Sequence, residues 1–172
     1  MLMRNKTKTL LELSAVAKKH KSQGEKIGLI TGCFDILHIG HIELFNKSKE
    51  LVDVLVVGID NDETIKKAKG AVRPINGQET RLRFLNELEC VDYTFLISDT
   101  FDYLDEITAS KVHKNIINTI KPHYIFTNKK TDKYWKNKEQ RLSKTGTKLV
   151  GIEHDSDTYA TSKILDHLLS EL

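Results

Sequence analysis

The chain predicts a doubly wound parallel α/β sheet of five strands, built as a single domain with an N-terminal helix. Short apolar runs recur at residues 27–31, 52–59, 93–97, 124–127 and 148–152, and segments with helical spacing of apolar residues lie between them. That alternation implies parallel strands joined by right-handed helical crossovers. The length, 172 residues, suffices for one domain with a real core.

Taken in order, Leu10, Leu11, Leu13, Val16 and Ala17 place a helix over residues 9–22, which Gly24 ends. Residues 27–31 form the first strand and residues 40–51 a helix with Ile42, Leu44, Phe45 and Leu51 as its apolar positions. The run Val52-Asp53-Val54-Leu55-Val56-Val57-Gly58-Ile59 suits a buried parallel strand. Residues 60–77 are polar and basic and read as a loop with one helical turn. Gln78 to Glu89 carries Leu82, Leu85 and Leu88 on one helical stripe. Residues 93–97 are the third strand, and Asp99 or Thr100 is expected to cap the helical stretch that runs to Ile120. Residues 124–127 form a fourth strand, 131–144 a very polar helix stopped by Gly146, 148–152 a fifth strand, and 161–170 a closing helix. With strands and helices placed, the architecture is Rossmann-like.

Hydrophobic residues make up 39% and charged residues 30%, which excludes a disordered or fibrous chain. The net charge of +3 is too small to indicate a nucleic-acid partner. Cys33 and Cys90 lie far apart and form no CxxC pair, so both are expected as reduced thiols. The N-terminus reads as neither a secretory signal nor a membrane span, and no run of about 18 apolar residues occurs. A cytoplasmic location and no membrane partner are the expectation.

Ligands of such sheets bind beyond the carboxyl ends of the strands. Residues 32–41, 60–77 and 154–162 fall there. The first is the most informative: Thr31-Gly32-Cys33-Phe34-Asp35-Ile36-Leu37-His38-Ile39-Gly40-His41 turns from a strand into a helix that opens with two histidines three apart. Residues so spaced share a helix face, and the helix N-terminus offers backbone N–H groups to an anion. Two imidazoles amid N–H donors suit a polyphosphate. An HxxH pair can also ligate zinc, but only Asp35 stands near enough in sequence to add a ligand, so no metal site is expected.

Gly32-Cys33-Phe34-Asp35-Ile36-Leu37-His38-Ile39-Gly40-His41 resembles the G-x-F-D-x-x-H-x-G-H signature of the cytidylyltransferase-like nucleotidyltransferases. The likeness continues through Gly58-Ile59-Asp60-Asn61-Asp62, Lys67-Ala68-Lys69-Gly70, Arg73-Pro74-Ile75-Asn76, Glu79-Thr80-Arg81, Val91-Asp92 and Thr161-Ser162-Lys163-Ile164. From Cys33 to Asp92 the chain is most similar to the nucleotidyltransferase domain of bifunctional ADP-heptose synthases. Glycerol-3-phosphate cytidylyltransferases and archaeal FAD synthetases are similar too.

The resemblance divides the chain into a helical extension, 1–24, and a nucleotidyltransferase domain, 25–172. It implies catalytic roles for His38, His41 and Lys67, with the histidines gripping the triphosphate. It implies nucleotide contacts from Gly32, Cys33, Phe34, Asp35, Gly40, Lys69, Asn128, Thr161 and Ser162. Lys67, Arg73 and Arg81 are the expected acceptor-binding residues, because phosphate attack on phosphate requires cations. Arg81 has a second reading, a local ion pair, and Asp35 one as a turn anchor. Cys33 is given a backbone role rather than that of a nucleophile.

The implied reaction moves AMP or CMP from ATP or CTP onto a sugar phosphate, such as heptose 1-phosphate, or onto a polyol phosphate, releasing pyrophosphate. Magnesium would come bound to the triphosphate, and a homodimer is expected. Two departures leave other readings open. Asp155 and Ala160 stand where related enzymes carry an arginine and a hydroxyl, and Asn128-Lys129-Lys130 replaces a glycine-aspartate pair. A non-catalytic nucleotide-binding or regulatory protein, and an FMN adenylyltransferase, are the alternatives.

Overall fold

The computed structural model describes residues 6–153. Within them, strands β1 (Ile27–Gly32), β2 (Val54–Asp60), β3 (Tyr93–Ile97), β4 (Tyr124–Thr127) and β5 (Lys148–Gly151) form one parallel sheet in the order β3-β2-β1-β4-β5. The described helices are α1 (Leu10–Ser22), α2 (Ile39–Lys49), α3 (Asp62–Lys69), α4 (Gln78–Asn86), α5 (Glu106–Ile120) and α6 (Trp135–Leu142). The chain starts at the middle strand, winds out through β2 and β3, and returns to the other side of β1 as β4 and β5. The reversal between β1 and β4 opens a crevice at the carboxyl ends of the strands.

Both faces of the sheet are covered, which explains why the strands read as continuous apolar runs. Leu29, Val54 and Val56 point into one layer with Leu13, Ala17, Val112 and Ile116. Ile30, Leu55 and Val57 point into the other with Leu44, Phe45, Leu82 and Leu85. Gly58 sits where β2 passes the Phe95 ring of β3, and a Cβ there would stand 2.5 Å from a ring carbon.

The N-terminal segment is built into this frame rather than appended to it. Thr9 and Glu12 cap α1 reciprocally: Thr9 Oγ1 accepts from the Glu12 N–H, and Glu12 Oε2 accepts from the Thr9 N–H. The Lys8 N–H donates to the Thr94 carbonyl and the Thr94 N–H to the Lys6 carbonyl, which covers the exposed edge of β3.

Three elements differ from the sequence expectation. Residues 62–69, expected as loop with one turn, are a two-turn helix, because Asn61 caps it by accepting the Thr64 N–H at 2.8 Å. The stretch after β3 is a single helix whose cap is Asp105, not Asp99 or Thr100; its Oδ1 accepts the Ile107 N–H at 3.0 Å. Helix α6 is shorter than 131–144, since Asp132 accepts the Tyr134 N–H and holds residues 128–134 in a turn. The expected helix over 161–170 lies outside the described residues.

Gly58→Ala is expected to lower the unfolding free energy by about 1–3 kcal/mol in urea titrations, because the new methyl must displace a fully buried ring.

Candidate active site

Beyond the end of β1 the chain makes a tight turn into α2. Phe34 adopts a left-handed backbone, φ 46°, and folds its ring over Gly32, where a Cβ would meet it at 3.1 Å. Phe34 also meets the His41 ring edge to face, centroids 5.2 Å apart. His38 caps α2, and its ring stacks on that of His41 with centroids 3.7 Å apart. The His38 backbone N–H donates to His41 Nδ1 at 3.4 Å. That fixes Nδ1 as an acceptor, so the neutral His41 ring carries its proton on Nε2 and donates from there. Both rings, with Gly32, Cys33 and Gly40, line an open cavity of about 760 Å³.

Two buried charges hold this turn. Asp35 is 2% exposed; its carboxylate accepts from Arg73 Nε at 2.6 Å and from the N–H groups of Ile75 and Asn76 at 3.0 and 2.8 Å. Burial alone would raise its pKa; the two N–H donors and the guanidinium outweigh that and hold it below the usual carboxylate range. Arg81 is fully buried. Its Nε donates to the Asn76 carbonyl, Nη1 to the Cys33 carbonyl, and Nη2 to the Asp60 carbonyl and to Asp62 Oδ1.

These contacts redistribute the expected roles. Asp35 is an anchor that pins the 73–76 loop to the histidine turn. Arg81, expected to reach an acceptor, spends its donors inside the protein and is a positioning residue. Arg73 lines the cavity while tied to Asp35. The helix α3 separates the two lysines: Ile65, Ala68 and Lys69 share the cavity face, whereas Lys67 is exposed and does not line the cavity. Burial pushes the Cys33 thiol up, so it stays protonated and is a poor nucleophile.

The opposite wall comes from β4, α5 and α6. Asn128 lines the cavity and its Oδ1 accepts the Lys130 N–H at 2.9 Å. Asp132 accepts from Thr127 Oγ1 and from Lys138 Nζ, both at 2.7 Å. Trp135 packs away from the cavity, under Lys129 and beside Gly151. Tyr103 and His113, which sequence reasoning did not single out, also line it. Tyr103 stands in the loop after β3, where the strand-end rule could have found it. Thr161 and Ser162 lie outside the described residues. Among the described residues no group of three His, Cys, Asp or Glu side chains is arranged to hold a metal ion, and no helix is long and apolar enough to cross a membrane.

A helix N-terminus that carries two histidines into a cavity at the switch point of a parallel sheet defines an α/β protein with an anion-suited site. Residues 29–167 match the cytidylyltransferase-like family model, and the chain belongs to that family, among the nucleotidyltransferases. It is 37% identical over 118 residues to the bifunctional protein HldE of Aliarcobacter butzleri, covering 69% of this chain and 22% of that protein. The Geobacter sulfurreducens HldE is 36% identical over 117 residues, 68% of this chain and 22% of the relative. The chain thus spans about a fifth of the length of the curated relatives it matches. A crystal structure of a lipopolysaccharide core biosynthesis protein from Thermoplasma volcanium superposes with TM-score 0.59 at 29% identity, over 77% of this chain and all of that one. The pantoate-β-alanine ligase of Francisella tularensis shares the fold, with TM-score 0.67 at 16% identity over 98% of this chain and 78% of that one.

Two outcomes follow from the buried charges. Arg81→Met is expected to cost about 3 kcal/mol in chemical denaturation, since Asp62 and three carbonyls lose their shared donor. Burial holds the His113 pKa at about 4, below its ordinary 6.5. Between those values the unfolded chain binds a proton that the folded chain does not, so stability falls as pH drops from 6.5 to 4. His113→Phe is expected to flatten that part of the stability–pH curve.

Proposed function

We propose that this chain transfers a nucleoside monophosphate, AMP or CMP, from the triphosphate to the phosphate group of a sugar phosphate. The stacked His38–His41 pair at the start of α2 carries the reading. The His41 Nε2–H and the positive end of α2, where Gly40 lines the cavity, suit the place where a triphosphate would lie. The match to the HldE relatives and to the Thermoplasma lipopolysaccharide core biosynthesis protein supports a sugar-derived acceptor over a polyol phosphate or FMN.

In this reaction an oxygen of the acceptor phosphate forms a bond to the α-phosphorus while the bond to the bridging oxygen breaks, and pyrophosphate leaves. A phosphate monoester has its second pKa near 6, so it attacks already ionised and needs no general base. Charge builds on the non-bridging α-oxygens as phosphorus becomes five-coordinate. Donors fixed before substrate arrives accelerate the step only insofar as they bind that state more tightly. Lys69 offsets repulsion between the anionic partners from the cavity lining, which Arg73 joins with its charge shared by Asp35. Magnesium would enter on the triphosphate and neutralise part of its charge.

The test is a pyrophosphate-release assay with ATP and CTP against heptose 1-phosphate, other sugar phosphates, polyol phosphates and FMN. His41→Ala is expected to lower kcat by about 10²-fold with a smaller change in nucleotide affinity. Unchanged turnover in that variant, or silence of the wild type across the panel, overturns the proposal.

A further inference from the structure

Lys69, Arg73 and Lys133 bring cations to the cavity wall, Arg73 paired with Asp35, and hydrogen-bond acceptors lie among them. There Tyr103 donates its hydroxyl proton to Asp60 Oδ2 at 2.5 Å. Asp60 is 0% exposed, and its Oδ1 is buried without a hydrogen-bond partner. With its proton committed to Asp60, Tyr103 meets the cavity as a hydrogen-bond acceptor. His113 Nδ1 lies 2.8 Å from the Ala109 carbonyl, which can only accept, so Nδ1 bears the proton and Nε2 offers a lone pair. Lys138 is matched by Asp132 at 2.7 Å and Arg141 by Glu106 at 3.4 Å, while Lys133 adds a further cation to the lining. Tyr103 stacks on Tyr134, centroids 5.1 Å apart, and the pair adds an apolar surface.

Two acceptor atoms beside a flat aromatic wall, with cations around them, match a ring or chain that bears a phosphate and several hydroxyl donors. Building on the nucleotidyl-transfer reading, we propose that Tyr103 and His113 floor the acceptor subsite and select a polyhydroxylated phosphate by accepting hydrogen bonds from its hydroxyls. The acceptor then lies with its phosphate toward Lys69 and the His38–His41 pair and its hydroxyls toward α5. Asp60 is a positioning residue that sets the direction of the Tyr103 hydroxyl.

Binding tests this separately from turnover. Heptose 1-phosphate and methyl phosphate, which carries the charge without the hydroxyls, are titrated calorimetrically into the full chain with a non-hydrolysable nucleotide bound. The wild type is expected to bind heptose 1-phosphate at least tenfold more tightly than methyl phosphate. Tyr103→Phe and His113→Leu are each expected to weaken heptose 1-phosphate about tenfold, with affinity for methyl phosphate and for the nucleotide unchanged. Unchanged nucleotide affinity also shows that the variants are folded. Equal binding of the two probes by the wild type, or heptose 1-phosphate affinity indifferent to both substitutions, overturns the proposal. Binding that follows the expected pattern without pyrophosphate release upholds the subsite and overturns the transfer reading alone.

Discussion

Arg81 is the tie on which the site depends. A fully buried guanidinium is tolerated only where its donors are used, because desolvation costs several kcal/mol per ion. Here three segments supply the acceptors: the Cys33 carbonyl from the histidine turn, the Asp60 carbonyl from the end of β2, and the Asn76 carbonyl from the loop before α4, with Asp62 as counter-charge. The strand ends of β1 and β2 are thereby fixed relative to each other at the carboxyl edge of the sheet, beside the cavity. Asp35 supplies the complementary sign. A buried carboxylate that accepts Arg73 and two backbone N–H groups holds the 73–76 loop down on the turn.

That pair of buried charges explains why the histidines can be preorganised although they sit at the edge of an open cavity. The left-handed Phe34 lies between Cys33, held by Arg81, and Asp35, held by the loop. With its backbone fixed on both sides, its ring has one place to go, over Gly32 and against His41. His41 in turn is stacked on His38 and accepts from the His38 N–H. Each imidazole is thus oriented by contacts that exist without a ligand, and such donors need no reorganisation at the moment of reaction.

The strands were legible in the sequence because burial on both faces leaves a continuous apolar run; β3 and β4 have the bounds that Tyr93–Ile97 and Tyr124–Thr127 suggest. The histidine turn was legible because its residues are contiguous. Helix α3 was not: its two turns carry three lysines, and its start depends on a cap by Asn61 rather than on an apolar stripe. Reading it as a loop let Lys67 and Lys69 reach the same ligand, whereas the helix turns only Lys69 toward the cavity. The Asp60–Tyr103 contact was equally hidden. Its partners are 43 residues apart and meet because β2 and β3 are neighbours in the sheet, which no local pattern encodes.

The cavity lining mixes cations with hydrogen-bond acceptors, and that mixture bears on how a phosphorylated acceptor sits. A phosphorylated polyol is itself divided, anionic at one end and neutral at the other. The carboxylates of the wall opposite the histidine turn are already paired, Asp132 with Lys138 and Glu106 with Arg141, so they present little net charge to a phosphate. Asp132 is held ionised: burial would raise its pKa, but Lys138, Thr127 and the Tyr134 N–H outweigh it. Asp60 is pushed the other way by its burial, only partly offset by the Tyr103 hydroxyl and by Arg81. Orientation in the proposed subsite therefore rests on where the hydrogen-bond acceptors lie, and Asp60 contributes by aiming Tyr103. On that proposal the hydroxyls settle on Tyr103 and His113, and the phosphate is left to Lys69 and the histidines.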